Sequence, residues 1–325
     1  MKTKFLAFLI FFFILLIILF ATFVGPTLIT FKSLRTDKII KYIYFNMRVP
    51  RVLLGFFTGI ILSVSGLVFQ TLFRNPLVSP FTLGISSAAS AGVFLSIKIG
   101  VLGFSLLFFT SGQIFAILFS VFSIFMVYFI SAKRGEMDLN TALLAGISLN
   151  FLFSAFILIL HFLSTPEESF TYFKWIFGSL ETSGYSDVIV FLLLSIVLIG
   201  VFIVLSRELD LFSVSEEIAL SKGVEVRKIK FISFVLISLV VSISVSFTGP
   251  IAFVGLMVPH IAKAFKKFKH QELILITAIL GGIMVVLADA ISRTIVAPAE
   301  IPIGIIMTIF GVPFMIYLIN SGKNF

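Results

Sequence analysis

The stretch from Arg207 to Lys230, RELDLFSVSEEIALSKGVEVRKIK, is the longest highly charged segment in a chain that is otherwise mostly apolar. Ten of its twenty-four residues are charged, and long hydrophobic runs flank it on both sides. Within it Ser213 and Glu216 stand at the S-x-x-E spacing of a capping box, and Gly223 is placed to end the helix so begun. The roughly nine residues between those signals rise only about 14 Å, against about 30 Å for a hydrocarbon core. The spacing therefore predicts one short polar helix outside the membrane, held by two spans that leave and enter on the same side.

The flanking chain fits that reading. Its 325 residues are 59% hydrophobic and 12% charged, with a mean hydropathy of +1.20. A soluble domain carries about 25% charged residues, so the composition predicts an all-α polytopic membrane protein. Apolar runs from end to end leave no room for a separate soluble unit. Residues 1–325 are expected to form a single transmembrane domain, with an inner segment at 207–230 and outer loops at 25–51 and 164–186. The absence of cysteine excludes disulfides, thiolate catalysis and Cys-ligated metal. The net charge of +9 matches loop Lys and Arg that set topology and meet anionic membrane lipid, and no nucleic-acid partner is expected.

Lys2 and Lys4 precede a first apolar run that ends at Phe23-Val24-Gly25-Pro26 without a small-x-small cleavage site. It is read as a retained span with its N-terminus inside. Further spans are expected near 52–72, 81–98, 103–131, 139–163, 187–206, 229–247, 250–265, 271–291 and 303–320. That makes ten helices with both termini cytoplasmic. The run at 250–265 is short and contains Pro259, and the third span carries the small-residue stretch Gly84 to Gly92 that favours close helix contact. On this topology fifteen basic residues fall inside and nine outside. Six of the nine lie in the loop after the first span, against the charge rule, so that either the topology is wrong or the loop is a docking surface. Ser164-Thr165-Pro166-Glu167 is a helix start, and the segment it opens holds the single Trp as an interfacial anchor.

The chemistry is defined as much by what is missing. There is no G-x-x-x-x-G-K-[ST], no HExxH and no pair of carboxylates within a span, and His161, His260 and His270 are far apart in sequence. Neither an intramembrane enzyme nor a metal site is expected. An ion-coupled carrier needs titratable groups near the midplane. The best candidate, Asp289, sits near the outer end of its span with Arg293 at i+4 to neutralise it. The pore lacks an energy source of its own and is either passive or driven by a partner.

Three stretches carry a resemblance. Arg48-Val-Pro-Arg51 leads into a span containing Ser65-Gly66, Gln70 and Arg74-Asn-Pro-Leu77. Phe247-Thr-Gly-Pro-Ile-Ala-Phe-Val-Gly-Leu-Met-Val-Pro-His-Ile261 follows, then Asp289 through Arg293 to Ala297-Pro-Ala-Glu-Ile-Pro-Ile-Gly304 and Gly311-Val-Pro-Phe314. In type and order, over residues 45–320, they resemble the permease subunits of ATP-binding-cassette importers for iron chelates, heme and cobalamin (FecCD-like, type II importers). The opening segment matches the family's acidic-x-Ala-x-x-x-Gly-Val pattern at Glu217, Ala219, Gly223 and Val224.

The resemblance implies a homodimer of ten-helix subunits with the pathway between them. Two P-loop ATPase subunits would dock inside, carrying the ATP and Mg, while this chain binds no cofactor. An extracytoplasmic substrate-binding protein would deliver cargo at the outer face of the bacterial cytoplasmic membrane. Glu216, Glu217, Ala219, Leu220 and Gly223 would form the ATPase-coupling helix. Arg48, Arg51 and Arg293 would receive carboxylates of the binding protein, for which Arg forks are suited. The pathway and gate would draw on Asn75, Asn140, Thr141, Ser148, Asn150 and Ser154. Ser148 and Asn150 cannot share one helix face, so at least one is expected to bond another helix. Gly249 and Pro250 are expected to shape a reversal, with Pro259 and His260 structural. A gradient-coupled secondary transporter, a molybdate-type oxyanion permease and a membrane scaffold or sensor are the alternatives.

Overall fold

Val49–Leu72 forms α4, the helix around which the others are arranged. The computed structural model describes residues 16–26, 29–101, 105–106, 109–133, 136–265 and 268–320. The start of the first span, and Lys2, Lys4, Arg134, Lys266, Lys267 and Lys323 of the charge count, lie outside the described residues. The apolar heart of α4 is 83% buried, against 28% for Leu139–Phe162 (α7) and for Ser186–Val204 (α9). It packs on His270–Ser292 (α14), Val254–Phe265 (α13), α9 and Val226–Thr248 (α12). Glycine makes this possible. A Cβ on Gly66 would lie 1.8 Å from the Gly255 carbonyl oxygen of α13, and one on Gly59 would lie 2.1 Å from that of Gly281 on α14. With no water-driven collapse inside a bilayer, such backbone contact is the source of helix association.

Six of the described helices are long and apolar enough to cross a membrane; shorter apolar helices at Ile85–Ile99 (α5), α13 and Ile303–Asn320 (α15), with helical residues 16–23, accompany them. Several boundaries differ from the sequence expectation. Lys38–Ile43 (α3) and a π turn at Tyr44–Arg48 run straight into α4, so that span starts well before residue 52. Ser111–Ser131 (α6) starts eight residues later than expected, because Thr110 and Gln113 form a reciprocal cap after a strand pair, Ser105–Leu106 with Phe109–Thr110. A 3-10 turn at Pro80–Leu83 precedes α5, whose small residues Ala88, Ala89 and Ala91 are buried where it packs on α6. Pro166–Ile176 (α8) begins where Thr165 and Pro166 place it, with Thr165 and Glu168 as the capping pair.

The charged segment holds two helices rather than one. Ser206–Val214 (α10) buries Leu209 and Phe212, which keeps Ser213 inside a helix, where its hydroxyl donates to Asp210 O. The cap is therefore Ser215, whose Oγ accepts from Ile218 N at 3.0 Å to open Glu216–Ser221 (α11). Gly223, at φ +79°, does end it.

The expected run at 250–265 is helical only from residue 254 on, and the 12 residues of α13 rise about 18 Å. Gly249 turns the chain at φ +66°, where a Cβ would meet Trp175 O at 2.4 Å, and residues 249–253 re-enter the bundle as non-helical backbone. Such backbone is tolerated at depth because protein surrounds it: Ser179 N donates to Thr248 O, and Ile251 is buried. Pro259 cannot donate to Gly255 O four residues back. Gln70 of α4 supplies that bond instead, its Nε2 donating to Gly255 O (3.3 Å) and Leu256 O (3.2 Å).

Gly66→Val should separate α4 from α13 and cost about 1–3 kcal/mol, the usual range for overpacking. A lowered melting temperature of the solubilised protein checks it. Gly200→Ala, where nothing lies within 4 Å, is the control and should leave that temperature unchanged or raised.

Candidate functional site

Polar chemistry gathers at two ends. At the outer end, the beginning of α4 meets the end of α14. Arg51 Nε and Nη2 lie 3.0 and 2.9 Å from Asp289 Oδ1, and its Nη1 lies 2.8 Å from Glu300 Oε2. Arg293 Nη2 takes the other oxygen of Asp289 at 3.0 Å. The expected i,i+4 pair is therefore present and enlarged to a network in which the Asp289 and Arg293 side chains are only 2% and 1% exposed. Arg293 Nη1 also donates to Val24 O (2.8 Å), as does Arg48. A cleft of about 540 Å³ lies over the network, lined by Met47, Arg48, Arg51, Glu181, Arg293 and Glu300. Of the three arginines named from the sequence, Arg48 and Arg293 are buried and committed to backbone carbonyls, and Arg51 is held by two carboxylates. Lys32, Arg35, Lys38 and Lys41, also at this end, are exposed.

α8 closes the same end. The Thr165 backbone N–H and the Lys98 ammonium, 2.8 and 3.0 Å away, hold the Glu168 carboxyl below its ordinary range and tie α8 to the end of α5.

At the inner end, Glu216 pairs with Lys230 of α12 at 2.6 Å, which fixes α11 to the bundle. Ala219 is fully buried under the helix and packs it down instead of facing a partner. Glu217, Ile218 and Leu220 point outward, Leu220 being 56% exposed. A second cleft of about 590 Å³ opens beside them, lined by Tyr128, Glu216, Leu220, Arg227, Lys230 and Phe231.

Between the ends, the residues named for a pathway separate. Ser148 and Ser154 lie on an open face of α7 with Leu144, Ile147, Phe151 and Leu158. Asn150 is on another face: its Nδ2 donates to Phe81 O and Thr82 O, and its Oδ1 accepts from Ser87, so it is the helix-to-turn bond. Asn140 is exposed at the start of α7, where Thr141 donates to the capping Asp138. Asn75 Oδ1 accepts from Leu77 N and shapes the loop after α4. His260 Nδ1 donates to Leu256 O at 2.7 Å within its own helix.

Asp210 and Lys230 had no site role in the sequence reading, and Glu300 stood only within a quoted motif. Their partners lie at least 14 positions away, and no local spacing marks them. Gln70 stood within a quoted motif, and Pro259, the residue that creates its role, was equally visible.

The match to the FecCD transport family runs over residues 8–321. The chain belongs to that family. The permease is 34% identical to the hemin transport system permease protein HmuU of Yersinia pestis over 91% of this chain and 89% of that protein. It is 32% identical to the molybdate import system permease protein MolB of Haemophilus influenzae, over 90% and 85% of the two chains. A solved structure of an inward-facing, metal-chelate-type ABC transporter superposes with a TM-score of 0.81 at 28% identity, covering 96% of this chain and 98% of the other. The permease is thus a multi-pass, cytoplasmic-membrane component of an ABC importer, with the all-α type II importer fold.

Asp289→Ala should leave the buried Arg293 charge without its carboxylate and Arg51 with Glu300 alone, and cost about 3–5 kcal/mol of stability. Asp289→Ala combined with Arg293→Met should recover part of that loss, read as melting temperature in detergent.

Proposed function

We propose that two copies of this permease form the pore of an importer for a metal chelate of the siderophore or heme type. Two P-loop ATPase subunits drive it from inside, and an extracytoplasmic binding protein loads it from outside. The observation that carries the reading is α11, a capped helix pinned by Glu216 and Ala219 that presents Glu217, Ile218 and Leu220 beyond the bundle. An acidic and apolar knob of this kind suits a cleft on a partner. The permease itself shows no nucleotide-binding motif, so ATP and Mg belong to the ATPase.

The open face of α7 supports a pathway between two copies. Its Ser148 and Ser154 offer weak polar contacts among apolar ones, which suits cargo that must not be held in transit. HmuU is named for hemin and the superposed transporter for a metal chelate, which favours a chelate as cargo. MolB is named for molybdate, and an oxyanion is the second reading. Gradient coupling has little support, since Asp289 is clamped between two arginines.

Outside, Arg51, at the edge of the 540 Å³ cleft, and the exposed Lys32, Arg35, Lys38 and Lys41 form the basic surface for binding-protein carboxylates. Rim charges act mainly on encounter rate.

Glu217→Arg with Leu220→Asp should abolish ATPase co-purification and uptake while the permease keeps its melting temperature. Uptake that persists in vesicles without an ATPase would overturn the reading. Reversing Lys32, Arg35, Lys38 and Lys41 to Glu should slow binding-protein association and flatten its salt dependence. Competition of ferric chelate, hemin and molybdate for uptake identifies the cargo class.

A further inference from the structure

A chain of polar contacts at the inner end runs from the coupling segment to the last turn of α4. Asp210 of α10 accepts two hydrogen bonds at Oδ1, from the His270 backbone N–H (2.8 Å) and from His270 Nδ1 (2.7 Å). The other ring nitrogen, Nε2, lies 3.0 Å from Thr71 Oγ1 of α4. Thr71 Oγ1 is also 2.9 Å from Leu67 O, so the hydroxyl sits between the ring and its own helix. Thr71 and His270 are 5% and 6% exposed. With Nδ1–H directed at Asp210, Nε2 faces the Thr71 oxygen, whose single proton lies between Nε2 and Leu67 O. Carboxylate, imidazole and hydroxyl stand in the order of a hydrolytic triad. Thr71, however, is packed away from any substrate, and the arrangement joins helices instead.

What it joins is decided by the fold. α10 packs on α11 on one side and on α4 and α14 on the other. Leu209 and Phe212 supply an apolar contact, which is non-directional and lets surfaces slide. The Asp210–His270–Thr71 bonds are directional and fix the register of that contact. One residue beyond Thr71, at Leu72, α4 ends; Arg74 takes φ +45°, and the loop leads to the 3-10 turn that Asn150 of α7 holds. On the opposite side the last turn of α4 is tied to α13, where Lys263 Nζ donates to Gln70 Oε1 at 3.2 Å.

We propose that Asp210, His270 and Thr71 are positioning residues that carry a displacement of α10–α11 to the last turn of α4, and through it to residues 73–84 at the inner mouth of the pore. This rests on the reading of α11 as the ATPase-docking helix. α10 is the lever, and the imidazole is the rigid strut between its carboxylate and α4.

The test uses the permease assembled with its ATPase and binding protein in liposomes, and the permease alone. Asp210→Ala and the near-isosteric Thr71→Val should lower substrate moved per ATP on the order of tenfold, within the range of ordinary coupling energies. Hydrolysis and ATPase co-purification should stay at the unmodified level. Asp210→Asn keeps an acceptor oxygen for both His270 donors and should retain the ratio, which a role of charge alone would not allow. In the permease alone, both disruptive variants should speed amide exchange at residues 69–84 and leave α5 and α6 unchanged. An unchanged transport ratio in Thr71→Val, or unchanged exchange at 69–84, would overturn the link. So would a parallel fall of transport and hydrolysis with release of the ATPase. If the exchange effect is present but no ATPase binds α11, the functional reading fails while the link stands.

Discussion

Backbone touches backbone where α4 crosses α13 and α14, and the rest of the molecule depends on that contact. A helix buried on nearly all sides cannot carry large side chains wherever it meets another axis, and Gly59, Gly66, Gly255 and Gly281 remove them at the crossings. The close approach then makes polar exchange possible between helices far apart in sequence. Gln70 reaches the carbonyl that Pro259 leaves without a donor, and Ser63 donates to Thr277 O. Both polar ends of the permease are built on the two termini of this one helix. Arg48 and Arg51 stand at its start, and Gln70 and Thr71 close it.

The architecture was legible because apolar length and loop charge are local properties. So were the features written within a few residues: Asp289 with Arg293, Thr165-Pro166 opening α8, and Gly249-Pro250 turning the chain. What was not legible depends on packing. Ser213 stands at the capping-box spacing on paper, and only the burial of Leu209 and Phe212 moves the cap to Ser215. Pro259 marked an interruption in α13, but only the structure shows the donor that repairs it. The three arginines named for the outer face lie together there, yet Arg48 and Arg293 turn inward because the carbonyls of residues 21–24 lie within their reach.

α7 shows why a list of polar residues is not a list of pore residues. Asn150 and Ser148 are two positions apart and do unrelated work. One holds the turn that starts α5; the other lies on a face that this chain alone leaves uncovered. Polar side chains in a membrane helix satisfy neighbours first, and only those left on an open face are available to a passing solute.

The outer ion network also sets an order of assembly. Arg51 is synthesised 238 residues before its partner Asp289, a delay of roughly 10–50 s at ordinary translation rates. Through that interval a guanidinium that ends up largely buried lacks both of its ion-pair partners. Insertion of the last helical hairpin, bringing Asp289, Arg293 and Glu300 together, is therefore the event that lets the first part of the chain settle. A nascent permease truncated before α14 would carry its outer arginines in an immature position, an exposed mark by which membrane quality control can recognise an unfinished subunit.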